Sequence, residues 1–252
     1  MNQPFKICLH GKIYILKKTM KLLALDTSTE ACSAALFIDG EILQRFEIAP
    51  KTHTKLLLPM VESLLAEAEL TLSQLDALAF GCGPGSFTGL RIATGVIQGL
   101  AFGADLPVVP VSTLAALAQN FLPELAFIAM DARIGEIFWG VYQRNSNGFM
   151  KLVGKEAVLP VSQIEFPQKS AIGIGSGWWV YNDELLIKTE GVVTHIESDA
   201  LPQSSTIATL GVYGFQQGLS VAAEFAQPIY LRDKVAQTER ERAQTKLNHE
   251  NG

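Results

Sequence analysis

Residues 76–103 read DALAFGCGPGSFTGLRIATGVIQGLAFG, and the reading of this stretch decides the fold. It opens with an apolar run of strand length, Ala77 to Phe80. It then passes through a loop holding Gly81, Gly83, Pro84, Gly85 and Gly89, and continues at helical spacing through Leu90, Ala93, Val96, Ile97 and Leu100. Strand, glycine turn and helix in that order can set a helix N-terminus beside an anion. Thr88 is the expected cap of the helix. The helix also carries Gly95, Gly99 and Gly103, spaced four apart. Each glycine costs roughly 1 kcal/mol of helix propensity relative to alanine, so the strip is expected to face a closely packed neighbour.

The loop departs from the common phosphate motifs. A P-loop requires a lysine after its last glycine, and Leu90 stands there; a dinucleotide fingerprint read from Gly83 would require glycine at Thr88. Ser86 lies outside any GxSxG elbow. Two readings stay open: a tight turn that packs a helix on a sheet, which the spacing favours, and a cradle in which Gly83 and Gly85 meet a phosphate.

Upstream, Lys21–Asp26 is a buried-strand pattern followed by the polar turn Asp26-Thr27-Ser28, and Asp39-Gly40 is a hairpin signal between apolar runs. Strand, polar turn, strand, hairpin and strand make a ribonuclease H-like opening. An aspartate ending the first strand, with hydroxyls after it, is where actin-like ATPases and sugar kinases hold phosphates and magnesium. Asp26, Thr27 and Ser28 either do this or simply cap the turn through backbone amides. Thr52–Ala68 reads as an amphipathic helix, with Leu57, Met60, Val61, Leu64 and Leu65 on its apolar side, Thr52 as cap and Pro59 within it. Leu56 and Leu58 lie partly off that stripe, which predicts two neighbours for the helix.

Downstream, LPVVPV and STLAALAQNFL read as a strand and a helix capped by Ser112. A second half begins near Leu125: AFIAMDAR and GEIFWGVYQR form two strands joined around Ile134-Gly135, with Asp131 and Arg133 echoing Asp26, and Asn147-Gly148 closes another hairpin. AIGIGSGWW repeats strand then glycine turn; it faces a nucleotide, or Trp178 and Trp179 only pack locally. Ser205–Gly218 is a helix, PIYLRD an extended closing segment, and the chain from Asp233 onward a charged tail.

At 252 residues, 48% hydrophobic and 18% charged, the chain is a globular protein with many apolar residues for its charge, leaving surface for a partner. A net charge of −5 gives no support for tight binding of tRNA by this chain alone. Cys8, Cys32 and Cys82 are widely spaced and form no CxxC, which fits a reducing, cytoplasmic compartment. No apolar run reaches the roughly 18 residues of a membrane helix. Residues 1–19 have too short an apolar centre for a signal sequence, and Met20 reads as the natural start. The histidines His10, His53, His195 and His249 make no HxxxH or HxxE pair, so no metal site is expected.

As a whole word, GPGSFTGLRI resembles the signature of the TsaB (YeaZ) family. LLALDTSTEACSAAL, KTHTKLLLPMVESLL, LPVVPVSTLAALAQ, MDARIGEIFWGVY and PIYLRDKVA extend the likeness over about residues 20–236. Ala93 replaces the glycine usual in that signature. The resemblance implies an α/β fold of two ribonuclease H-like lobes in the actin, heat-shock-70 and sugar-kinase class, the second smaller and degenerate. The expected division is an extension over 1–19, lobes over 20–122 and 123–232, and a tail over 233–252. It also implies a pairing surface made by Leu57, Met60, Val61, Leu64 and Leu65 of the first helix with Ile92, Gly95, Val96 and Gly99 of the central one. On that basis, acidic substitution of Val61 or Leu64 is expected to abolish pairing while the fold survives.

In function, the resemblance implies a non-catalytic partner of TsaD, alone as a homodimer or in the heterodimer, and with TsaE. The pathway is the threonylcarbamoyl modification of adenosine 37 in tRNAs reading codons that begin with A. TsaC would make the donor, tRNA would be met only through the complex, and ATP would be used by the complex and not required by this chain. Where TsaD carries two metal-holding histidines, this chain has Thr113 and Leu117. The alternative is a kinase or ATPase anchored on Asp26, its possible nucleotide site comprising Asp26, Thr27, Ser28, Gly83 and Gly85. A peptidase ranks last, since neither Ser/His/Asp nor zinc-ligand spacing is present.

Overall fold

The computed structural model describes residues 20–232 together with the strands β1 (Phe5–Leu9) and β2 (Lys12–Leu16). These two strands pair with each other, antiparallel, in a sheet of their own. The expected tail over 233–252 lies outside the described residues.

Two five-stranded sheets follow, each with the same strand order. In the first, β3 (Lys21–Asp26) is central. It pairs antiparallel with β4 (Ala31–Ile38) and parallel with β6 (Ala77–Gly83); β5 (Glu41–Ile48) and β7 (Val108–Ser112) form the edges. In the second, β8 (Leu125–Arg133) is central between β9 (Glu136–Arg144) and β11 (Ala171–Ile174), with β10 (Met150–Leu159) and β12 (Val193–Glu197) outside them. This is the ribonuclease H-like unit, repeated. The hairpins fall where the turn residues placed them: Asp39 and Gly40 both take positive φ, as do Arg133, Ile134, Gly135 and Gly148.

Alternation along the central strands explains the layering. Leu23, Leu25, Leu78 and Phe80 point to one face of the first sheet, where α1 (His53–Glu67) and α2 (Phe87–Ala104) lie; Leu22, Ala24, Ala77 and Ala79 point to the other. That second face shares one continuous core with Ala126, Ile128, Met130 and Ile174 of the second sheet, and α3 (Thr113–Phe121) and α6 (Ser204–Gln216) fill the space between. The far face of the second sheet buries Phe127 and Trp139 under α4 (Gly177–Val180), which contributes Trp178, and α5 (Asn182–Lys188).

The helices cross over. α3 packs on the second sheet and α6 on the first, so the expected boundary near 122 does not divide the chain cleanly, and residues after about 203 return to the first lobe. Gly211 and Gly214 permit this: a Cβ there would lie 2.6 Å from the Ala79 Cβ and 2.8 Å from Val109 Cγ1, respectively. Val221 then exchanges two hydrogen bonds with Val108 at the edge of the first sheet.

Two caps differ from expectation. Ser86, not Thr88, is the N-cap of α2, its Oγ accepting from Gly89 N at 3.3 Å. Thr52 stands at the N-cap of α1, but its hydroxyl donates to Ala49 O at 2.9 Å. Ser112 caps α3 as expected, accepting from Leu114 N and Ala115 N. Among the described residues, no helix is long and apolar enough to cross a membrane.

Candidate functional site

β3 and β6 run parallel, so Asp26 at the end of one and Gly81-Cys82-Gly83 at the end of the other meet at the carboxyl edge of the first sheet. Open α/β sheets commonly bind ligands at this edge. The structure brings Asp26, Thr27, Ser28, Gly83 and Gly85 together, as the nucleotide-site alternative requires. It also closes them onto one another.

Asp26 Oδ1 accepts from Ser28 N at 3.1 Å and from Ser28 Oγ at 2.9 Å. Thr27 Oγ1 donates to Gly89 O at 2.7 Å, and Ser86 N donates to Ser28 O at 2.7 Å. The polar turn is therefore stitched to the glycine loop, and the glycines exist to let it approach. A Cβ at Gly89 would stand 1.8 Å from Thr27 O, one at Gly85 2.4 Å from Ser28 O, and one at Gly81 1.9 Å from Asp26 Oδ2. Gly83, at φ +114°, is covered by Ile229 O, 2.7 Å from where its Cβ would be. The arrangement does not fit a nucleotide's phosphates: the glycine faces that such a group would approach are occupied by the chain's own backbone, and no lysine replaces the missing charge partner. The loop itself is a tight turn, capped by Ser86 and tied to Ser28 O.

Asp26, Thr27 and Ser28 are all buried. Burial raises the Asp26 carboxyl from 3.8 to about 6, against the opposing hydrogen bonds from Ser28, and its Oδ2 accepts no hydrogen bond. The neighbouring Cys82 thiol is pushed up to about 12, chiefly by burial. The unfolded carboxyl ionises near 3.8 and the folded one near 6, so the stability present below pH 3.8 is lost as pH rises through about 6. A shift of this size corresponds to about 3 kcal/mol. Urea unfolding of Asp26→Asn from pH 4 to pH 7 is expected to lack that decline; a slope identical to that of the parent chain would contradict the assignment.

The residues of the pairing surface divide. Leu57, Val61 and Leu64 are 1%, 2% and 0% exposed and pack into the core beneath α1, so they are core side chains, a correction to the expected surface. Met60, Leu65, Ile92 and Val96 are half-buried, and Gly95 and Gly99 are exposed; among the described residues, nothing outside the helix's own backbone lies within 4 Å of a Cβ at either. The glycine strip does not face its own sheet; it faces outward, continuing to Phe102 at 83% exposure. Thr113 and Leu117 are both buried on α3, and among the described residues no cluster of three or more His, Cys, Asp or Glu side chains could hold a metal.

Two features escaped sequence reasoning. Glu156, displaced by the irregularity between Val153 and Ala157 of β10, accepts hydrogen bonds from Ser112 and Tyr142, linking the cap of α3 to the second sheet. Residues 227–232 lie across the glycine loop. Both join segments far apart in sequence, and no local motif signals them. Asp131 lies near the end of β8 as Asp26 ends β3; its side chain, 10% exposed, pairs with the largely exposed Arg133, accepts from Arg133 N at 2.8 Å and accepts from Tyr181 Oη at 3.4 Å. Trp178 is buried, its Nε1 donating to Phe127 O at 3.0 Å, while Trp179 is exposed.

Fold and sheet topology together define a two-lobed α/β protein of the actin, heat-shock-70 and sugar-kinase class. A family model described as TsaD, tRNA N6-adenosine threonylcarbamoyltransferase, matches residues 46–240. The tRNA threonylcarbamoyladenosine biosynthesis protein TsaB of Escherichia coli K12 is 41% identical over 225 residues, covering 86% of this chain and 96% of the relative; that of Haemophilus influenzae is 40% identical over 231 residues, with the same coverage. A solved structure of YeaZ from Pseudomonas aeruginosa superposes with a TM-score of 0.79 at 44% identity, covering 84% of this chain and all of that one. The chain belongs to the TsaB (YeaZ) family.

Proposed function

We propose that the chain acts in tRNA threonylcarbamoyladenosine biosynthesis as a non-catalytic partner that holds TsaD in its competent state. The modified position is adenosine 37 of tRNAs reading codons that begin with A. TsaC makes the threonylcarbamoyl donor and TsaE acts with the pair. The complex uses ATP; this chain requires none and meets tRNA only within the complex, in the cytoplasm. Alone, it pairs with a second copy through the same face.

The observation that carries this reading is a contrast between two sets of glycines in one motif. Those of the loop are consumed by the Asp26–Ser28 turn, whereas Gly95 and Gly99 leave a side-chain-free strip on the outside of α2. A protein that activates another must bind its active conformation more tightly than its inactive one, and an interface provides that differential without chemistry. The test is sedimentation of the purified chain with TsaD. A stable one-to-one species is expected, with the free chain as a concentration-dependent homodimer. Independent sedimentation of the two proteins at micromolar concentrations would refute the partnership.

A further inference from the structure

Among the described residues, the core shared by α3 and α6 joins the two lobes on one side. The opposite side, where Asp26 and the glycine loop lie, is bridged by the chain's last described residues. Ala226 is buried in the first lobe, and its carbonyl accepts from Gln98 Nε2 at 2.9 Å. From there the segment runs over the loop: Ile229 N donates to Cys82 O at 2.7 Å, and the Tyr230 ring stacks obliquely on Phe87, centroids 5.4 Å apart. Arg91, which lies over the Phe87 ring at 3.9 Å, donates from Nε to Tyr230 Oη at 3.3 Å. The segment then leaves the first lobe, and Arg232 forms an ion pair with Glu136 and donates to Arg133 O at 3.4 Å, both at the β8–β9 turn of the second. The ion pair is only 23% and 31% exposed, so it is less screened than a surface pair.

Proteins of this fold class place a nucleotide between their lobes, and here the residues do not fit one. We propose that residues 227–232 are an intramolecular clasp: they occupy the loop face that the phosphates would take and fix the lobes in a single closed arrangement, replacing the ligand as the bridge. Three anchors hold the segment to the first lobe, and Arg232, through Glu136 and the Arg133 carbonyl, carries the polar connection to the second. The inference goes beyond the partnership with TsaD, and its test uses the isolated chain, so the two can fail separately.

Spin labels at the exposed positions Glu62 on α1 and Glu184 on α5, in a Cys8→Ser background, report the distance between lobes by pulsed dipolar spectroscopy. The parent chain is expected to give one narrow distance. Arg232→Glu should add a population at longer distance, and Arg232→Glu with Glu136→Arg should restore the narrow one, with far-ultraviolet circular dichroism the same in all three. An Arg232→Glu distribution identical to the parent, or a broadening that the charge swap does not reverse, would overturn the clasp.

Discussion

Leu64→Glu is expected to leave no cooperatively folded chain at 25 °C. Leu64 is wholly buried beneath α1, in the core that also holds Leu23, Leu36 and Phe80. Losing the apolar side chain costs about 2–5 kcal/mol by analogy with truncations to alanine, and burying a carboxylate with no partner adds several more. The sum is comparable to the total stability of a domain, about 5–15 kcal/mol. Val61→Glu should behave similarly, since Val61 is 2% exposed. Loss of pairing in either variant would therefore report unfolding and not an interface. Circular dichroism during urea titration checks this; a native-like cooperative transition for Leu64→Glu would contradict the packing of α1.

Gly95→Leu should do the reverse. Among the described residues nothing beyond the helix's own backbone lies within 4 Å of a Cβ at Gly95, so replacing this helical glycine should stabilise the isolated chain by up to about 1 kcal/mol. Against a closely packed partner helix, the same side chain has no room. Overpacking costs about 1–3 kcal/mol, which weakens pairing with TsaD about 5- to 150-fold. Raised thermal stability combined with weakened association is a signature that a folding defect cannot produce. Unchanged affinity would move the interface away from the strip.

How much of this the sequence makes legible depends on how far apart the interacting residues lie. The Asp39-Gly40 and Asn147-Gly148 turns, the apolar strands and the repeated unit are local patterns, and the structure bears them out. Ser86 and Thr88 are hydroxyl residues two apart, and only backbone geometry distinguishes the one that caps α2. An apolar face wider than one stripe left open which side of α1 meets the sheet; the core takes Leu57, Val61 and Leu64, whereas Leu58 is 44% exposed. Glycine spacing suggested close approach in both halves of the motif, but not by what: the Asp26–Ser28 turn fills the first, and nothing among the described residues fills the second. The return of α6 to the first sheet and the reach of Arg232 to Glu136, 96 residues away, are tertiary choices that no window of sequence contains.

The central claim is that the chain works through its outer face and not through a nucleotide site of its own. The most direct measurement is threonylcarbamoylation of tRNA by purified TsaC, TsaD and TsaE with ATP, threonine and bicarbonate, with this chain added as parent, Asp26→Asn or Gly95→Leu. The account predicts that modification depends on the chain, survives Asp26→Asn and is lost with Gly95→Leu. Modification that proceeds equally without the chain, or that disappears with a folded Asp26→Asn while Gly95→Leu remains active, would contradict it; the latter result would favour a kinase or ATPase anchored on Asp26.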